Sequence, residues 1–227
     1  MQKKIILIAG TKGGPGKSTV ASNLAAACQQ EEKGKLLLVD SDPQASISKW
    51  VTVRNDQERL SSILSVQKTG EDIKNSIPAL SDEYNNIIID SGGYNETNTS
   101  LKWAMLVATH IVIPVVPSQF DIWELSKIVS MISQVKIVNS NIKGYFLASR
   151  LSTLPNLVTQ EWDDLRQSIK DIDTKDVELM DSFISERRCY KTVIKDGASV
   201  LEIDDKSDSI NKAKNEIINL YKEIYND

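Results

Sequence analysis

Short runs of apolar, largely β-branched residues recur along this chain, each followed by turn residues and then by a stretch with helical spacing. The runs are Lys4–Ala9, Leu36–Asp40, Ser62–Val66, Asn86–Asp90, His110–Val115 and Lys143–Ser149, with a short one near Val177–Met180. Between and after them the apolar spacing predicts helices over Lys17–Glu31, Ala45–Gln57, Glu71–Tyr84, Thr99–Val107, Ser118–Val138, Val158–Lys170 and Ser209–Tyr225. Strands that alternate with helices of this length are joined by right-handed crossovers, which make them parallel and cover both faces of the sheet. The expected fold is therefore α/β: one domain over residues 1–227, with a mainly parallel twisted sheet and helices on both sides. No repeat, low-complexity tract or Pro/Gly-rich linker divides the chain.

Composition removes several functions. The longest apolar stretches, such as Ile87–Ile89 and the proline-broken Ile111–Val116, fall far below the roughly 20 residues needed to span a bilayer. The apolar run before Gly10 is too short for a secretory signal and reads as the first strand of a cytoplasmic protein. Cys28 and Cys189 lie far apart with no second ligand at Cys-x-x-Cys spacing, so they read as reduced small side chains rather than a metal cluster. A formal net charge of −4 leaves contact with nucleic acid to a local patch. His110, the single histidine, has no nucleophile partner at a known motif and is given no role. Trp50, Trp103, Trp123 and Trp162 read as core or interface anchors.

The segment Thr11-Lys12-Gly13-Gly14-Pro15-Gly16-Lys17-Ser18-Thr19 follows the first strand and opens the first helix, the setting of a phosphate-binding loop. Glycines allow successive backbone N–H groups to turn inward on a phosphate, and the helix N-terminus adds the positive end of its dipole. The spacing assigns Lys17 to the β- and γ-phosphates and the Ser18 hydroxyl to Mg²⁺. Gly13, Gly14, Gly16 and Thr19 complete the cradle. Proline at 15 removes one N–H donor and fixes φ.

Two acidic segments belong with this loop. Leu36–Asp40 is followed by Ser41 and Asp42, which puts carboxylates at i and i+2 where a strand leaves the sheet. Ligands of open α/β sheets bind at that edge. Asn86-Ile87-Ile88-Ile89-Asp90-Ser91-Gly92-Gly93 is a buried strand ending in an acid suited to Mg²⁺ or its waters.

Lys12-Gly13-Gly14-x-Gly16-Lys17-Ser18 resembles the deviant Walker A motif of the ParA/MinD ATPases, in which the early lysine is the signature residue. Asp40-Ser41-Asp42-Pro43-Gln44 is similar to the family's D-x-D-P-Q segment, and Asn86–Gly93 to its Walker B strand and nucleotide-sensing switch. The resemblance implies ATP and Mg²⁺ as ligands, and a sandwich homodimer in which Lys12 reaches the phosphates of the partner's ATP. It further implies that Asp42 orients the attacking water and that Asp40 lies nearer the Mg²⁺ shell, through water. Ile113-Pro114-Val115-Val116-Pro117-Ser118, Glu186-Arg187-Arg188-Cys189-Tyr190 and Asp196-Gly197-Ala198-Ser199-Val200 resemble the small ParF-like partition ATPases. With no helix-turn-helix domain ahead of the first strand, these imply non-specific DNA binding, hydrolysis stimulated by a small centromere-binding partner of the ParB/ParG kind, and a nucleoid-associated location. Arg187, Lys191 and Lys195 at i, i+4 and i+8, with Arg188, offer a candidate basic stripe for DNA, with a solvated charged face diluted by Glu186 and Asp196 as the alternative.

Two other readings compete. A MinD-like positioning ATPase would need a membrane-binding terminal helix, and the closing helix mixes Lys212, Lys214 and Lys222 with Glu216 and Glu223. A metabolic relative would need cluster cysteines or a substrate-pocket signature, and neither is evident.

Overall fold

The computed structural model describes residues 3–10, 14, 16–31, 34–93, 99–117, 119–170, 172 and 175–226, with 119–123 as backbone. Seven strands, β1 (Lys4–Ile8), β2 (Leu36–Asp40), β3 (Leu64–Gln67), β4 (Asn86–Asp90), β5 (His110–Val115), β6 (Lys143–Leu151) and β7 (Val177–Ser185), form one sheet in the order β3-β2-β4-β1-β5-β6-β7. Every pairing is parallel, as the alternating pattern predicts.

The helices are α1 (Lys17–Glu31), α2 (Ser46–Asn55), α3 (Asp72–Glu83), α4 (Ser100–Val107), α5 (Gln119–Val138), α6 (Pro155–Lys170), α7 (Arg188–Val193) and α8 (Asp208–Tyr225). Because strand side chains alternate between faces, Ile5, Leu7, Leu37, Val39, Ile87 and Ile89 pack on one side with α3 to α6. Ile6, Ile8, Leu38 and Ile88 pack on the other with α1, α2, α7 and α8. Strands buried on both faces need continuous apolar sequence, and that is what made them legible.

The departures from sequence have local causes. β3 begins at Leu64 rather than Ser62 because the Asn55 side chain occupies both backbone groups of Ile63, each at 3.0 Å. α6 begins three residues early, at Pro155, since proline suits the first turn of a helix. β7 runs on to Ser185 although its second half is partly polar. Its amides are held from α8, where Glu223 accepts from Asp181 N at 2.7 Å and Ser182 N at 2.8 Å.

Register fixes the edge at which chemistry can occur. Asp90 stands opposite Ile8 on one side and Asp40 on the other, so β1, β2 and β4 end on one row. The Ser41 and Ser91 hydroxyls tie that row together by donating to the carbonyls of Asp90 (3.0 Å) and Ile8 (2.9 Å). β1 ends on this row, and Lys17, which opens α1, lies near Asp90 on it.

Candidate nucleotide site

Gly14 and Gly16 have φ of 104° and 97°, a region that side-chain-bearing residues rarely adopt, so the loop can take this course only with glycine there. Thr11, Lys12, Gly13 and Pro15 lie outside the described residues, and the expectations for Lys12 and Gly13 with them. Lys17 opens α1 and is buried, its aliphatic stem lying across Gly10, where a Cβ would come within 3.1 Å of its Cδ. Burial lowers the Lys17 pKa, while the charges of Asp90 and Asp42 oppose that shift. The lysine, the strand-end acid and the D-x-D acid thus share one electrostatic neighbourhood, as the sequence predicts. Ser18 and Thr19 are half-buried beside them.

Asp90 is fully buried, and among the described residues neither carboxylate oxygen has a donor in good hydrogen-bonding geometry, the Ser18 hydroxyl lying nearby. Its pKa rises to about 7, chiefly through burial; the nearby Ser18 hydroxyl and Lys17 favour the charged form, Asp40 and Asp42 the neutral one. A buried carboxylate without partners is costly unless a cation completes it. One acid beside a serine hydroxyl suits Mg²⁺, which keeps waters and phosphate oxygens in its shell rather than an all-protein cage. Among the described residues no group of three or more His, Cys, Asp or Glu side chains forms such a cage.

The two carboxylates of the D-x-D segment have different duties. Asp40 is buried with both oxygens accepting backbone amides, from Asp42 N at 3.1 Å and Ser48 N at 2.8 Å. It anchors the loop and the start of α2, a structural duty beyond the water-mediated metal role expected for it. Asp42 is half-buried and accepts from Gln44 N at 2.9 Å through one oxygen. Ala45, next in the turn, is held at φ 54°.

The candidate basic stripe is altered. Arg187 precedes α7 in extended conformation, and its guanidinium donates to buried Glu216 Oε1 at 3.0 and 2.8 Å. Tyr190 donates to the same carboxylate at 2.9 Å. Arg187 is thus withdrawn from the surface, and α7 ends at Val193, short of Lys195. Arg188, Lys191 and Lys195 stay exposed, Lys191 paired with Glu186 at 2.9 Å.

Sequence reasoning missed the buried clamp behind the site. Arg54, 1% exposed, donates to Glu202 at 2.6 and 2.9 Å, to the Ser61 carbonyl at 2.9 Å and to the Gly197 carbonyl at 3.2 Å. Asn23, on the helix that opens at Lys17, accepts from Ser199 Oγ and Val200 N, both at 2.9 Å. The only hint in sequence was arginine and asparagine at otherwise apolar helix positions. His110 and Trp50 behave as structural residues: His110 Nδ1 lies 2.8 Å from Thr109 Oγ1, and Trp50 donates to the Ala198 carbonyl at 3.2 Å. Both cysteines are free thiols.

Comparison with known proteins agrees with this geometry. Maintenance of carboxysome distribution protein A of Halothiobacillus neapolitanus is 23% identical over 217 residues, 94% of this chain and 95% of that protein. The fold is shared with a putative plasmid partition protein of Borrelia burgdorferi bound to AMPPNP, at TM-score 0.68, 21% identity and coverage of 97% of this chain and 99% of that one. It is shared too with the ATP complex of a Cyanothece McdA variant, at TM-score 0.72, 15% identity and coverage of 99% and 97%. Residues 6–200, which include the loop, both acidic segments and the clamp up to Val200, match the CobQ/CobB/MinD/ParA nucleotide binding domain, and the chain belongs to that family.

Proposed function

We propose that this protein is an ATPase that works as an association switch, dimerising on ATP, binding DNA without sequence preference, and releasing when a partner stimulates hydrolysis. The observation that carries the reading is the deeply buried carboxylate of Asp90, raised to a pKa of about 7 beside Lys17 and Ser18, where a cation and phosphates would offset its charge. Lys17 neutralises phosphate charge in cis, and Lys12 does so from the second subunit. Asp42 accepts a hydrogen bond from the attacking water and orients it toward the γ-phosphorus. Mg²⁺, held by Ser18 and Asp90 directly or through water, would neutralise charge on the β- and γ-phosphate oxygens. Asp90-Ser91-Gly92-Gly93 leads away from this point and carries the state of the γ-phosphate outward.

A cavity of about 180 Å³, lined by Gly16, Thr19, Ser149 and Tyr190 among others, opens beside the loop and gives the nucleoside a place to extend. The exposed cations Arg188, Lys191 and Lys195 supply the DNA contact. A membrane-surface role for α8 has little support. Its apolar residues Ile210, Ala213, Ile217, Leu220, Tyr221 and Ile224 are all packed on the sheet, and among the described residues no helix is long and apolar enough to cross a bilayer.

Partition of a plasmid or chromosome locus is the cargo reading that the ParF-like segments favour. Positioning of a protein assembly is the second, favoured by the carboxysome-distribution relative, whose match spans nearly the whole of both chains. Lys17→Ala is expected to abolish ATP binding; unchanged affinity would remove the nucleotide site. Binding to random duplex is expected only with ATP and to fall with salt; equal binding with ADP would remove the ATP-gated switch, and equal binding after Arg188→Ala/Lys195→Ala would remove these residues as the DNA contact.

A further inference from the structure

The wall that faces the phosphate loop carries a cation held in an unusual way. Arg150 lies near the end of β6, inside the register irregularity between Ser149 and Leu151, with φ of 60°. A left-handed conformation at a residue with a long side chain is strained, and such strain persists where the surroundings over-determine it, commonly at binding sites. The guanidinium it aims lies beside the phosphate loop, Nη1 at 3.5 Å from the Gly14 carbonyl oxygen and Nη2 donating to Glu186 Oε1 at 2.9 Å. Lys191 donates to that same oxygen at 2.9 Å. Both cations hold the Glu186 pKa below its ordinary value, Lys191 first, so the carboxylate is ionised at neutral pH.

We infer that Arg150 is a second phosphate-directed cation acting in cis, held against Glu186 and the Gly14 carbonyl until a nucleoside triphosphate enters the loop and draws it over. The inference rests on the nucleotide reading above. Two features make the transfer easy. Arg150 and Glu186 are each 43% exposed, and an ion pair of that exposure contributes little, so breaking it costs little. Glu186 also keeps a charge partner after Arg150 leaves, because Lys191 remains on the same oxygen. The triphosphate, with several negative charges, offers the guanidinium a stronger partner than one carboxylate and a neutral carbonyl. Glu186 thus competes weakly with the ligand for Arg150. Arg150 is a positioning residue for the phosphates, not a group that reacts.

The test is equilibrium binding of ATP, ADP and adenosine to the full chain, by competition against a fluorescent ATP analogue, with melting curves as the check on folding. Arg150→Asn removes the charge with a residue that tolerates the left-handed backbone. It is expected to weaken ATP about tenfold, ADP less and adenosine not at all. Arg150→Lys should restore part of the loss, and Glu186→Gln should tighten ATP by a factor of about two to three by freeing the arginine. ATP affinity unchanged in Arg150→Asn, or adenosine weakened as much as ATP, overturns the inference. Should the wild-type chain itself ignore ATP, with Lys17→Ala indistinguishable from it, the nucleotide reading falls and this one with it.

Discussion

Replacing Asp90 by asparagine is expected to stabilise the nucleotide-free protein, although the change removes a group of the site. A carboxyl with a pKa of 3.8 in the unfolded chain and about 7 in the native state opposes folding by about 4 kcal/mol above pH 7, at roughly 1.4 kcal/mol for each pH unit between the two values. The sign follows from proton binding. Below pH 3.8 the group is protonated in both states and costs nothing. Between there and pH 7 the native state holds a proton that the unfolded chain has released, so stability falls as pH rises, and above pH 7 the full cost persists. Asparagine carries no charge but brings amide hydrogens that also need partners, which leaves a net gain of roughly 2 kcal/mol. For a chain of this length that raises the melting temperature by about 4–8 °C. The assay is a set of thermal melts without nucleotide or magnesium, from about pH 4.5 to 8, on the wild type and Asp90→Asn. By the same terms the variant should be about 1 kcal/mol less stable than wild type at pH 4.5, match it between about pH 5 and 6, gain toward pH 7 and level off. A variant less stable than wild type at pH 8, or a difference independent of pH, would refute the claim that Asp90 is an uncompensated buried charge. Adding Mg²⁺ with ATP should narrow the gap by stabilising the wild type alone.

Asp42→Ala should leave ATP binding intact and reduce turnover by at least about a hundredfold, so that a dimer accumulates in ATP on size exclusion; a monomer with full turnover would contradict its role. Gly197→Ala would place a Cβ 2.3 Å from the Arg54 amide nitrogen, at φ 65°, and is expected to cost at least about 3 kcal/mol in chemical denaturation. Ala45→Gly should do the opposite. It relieves a residue held at φ 54°, and the added freedom of the unfolded chain offsets part of that relief, leaving a gain of about 0.5–1 kcal/mol by the same measurement.

The sheet was legible because β1, β2 and β4 are buried on both faces and therefore apolar throughout, and the phosphate loop because glycines at φ near 100° and a lysine at a helix start leave a spacing that chance seldom produces. What sequence hid is polar chemistry between distant residues. Asp40 read as a metal-shell acid because a carboxylate after a strand looks the same whether its oxygens meet a cation or the amides of Asp42 and Ser48. Arg187 read as part of a basic stripe because its counter-charge, Glu216, lies 29 positions away on another helix. Arg150 went unremarked since nothing in its neighbours, Ser149 and Leu151, foretells a left-handed turn within a strand.

The carboxylates of α8 have one more consequence. By accepting from the amides of Asp181, Ser182 and Ser185, Glu223 and Glu216 take up three backbone donors of the edge strand β7, leaving a foreign strand a poorer template along that margin. The opposite margin is four residues of β3. For a protein proposed to crowd onto one polymer in many copies, and then let go, a margin with fewer open donors disfavours backbone-to-backbone joining of neighbours.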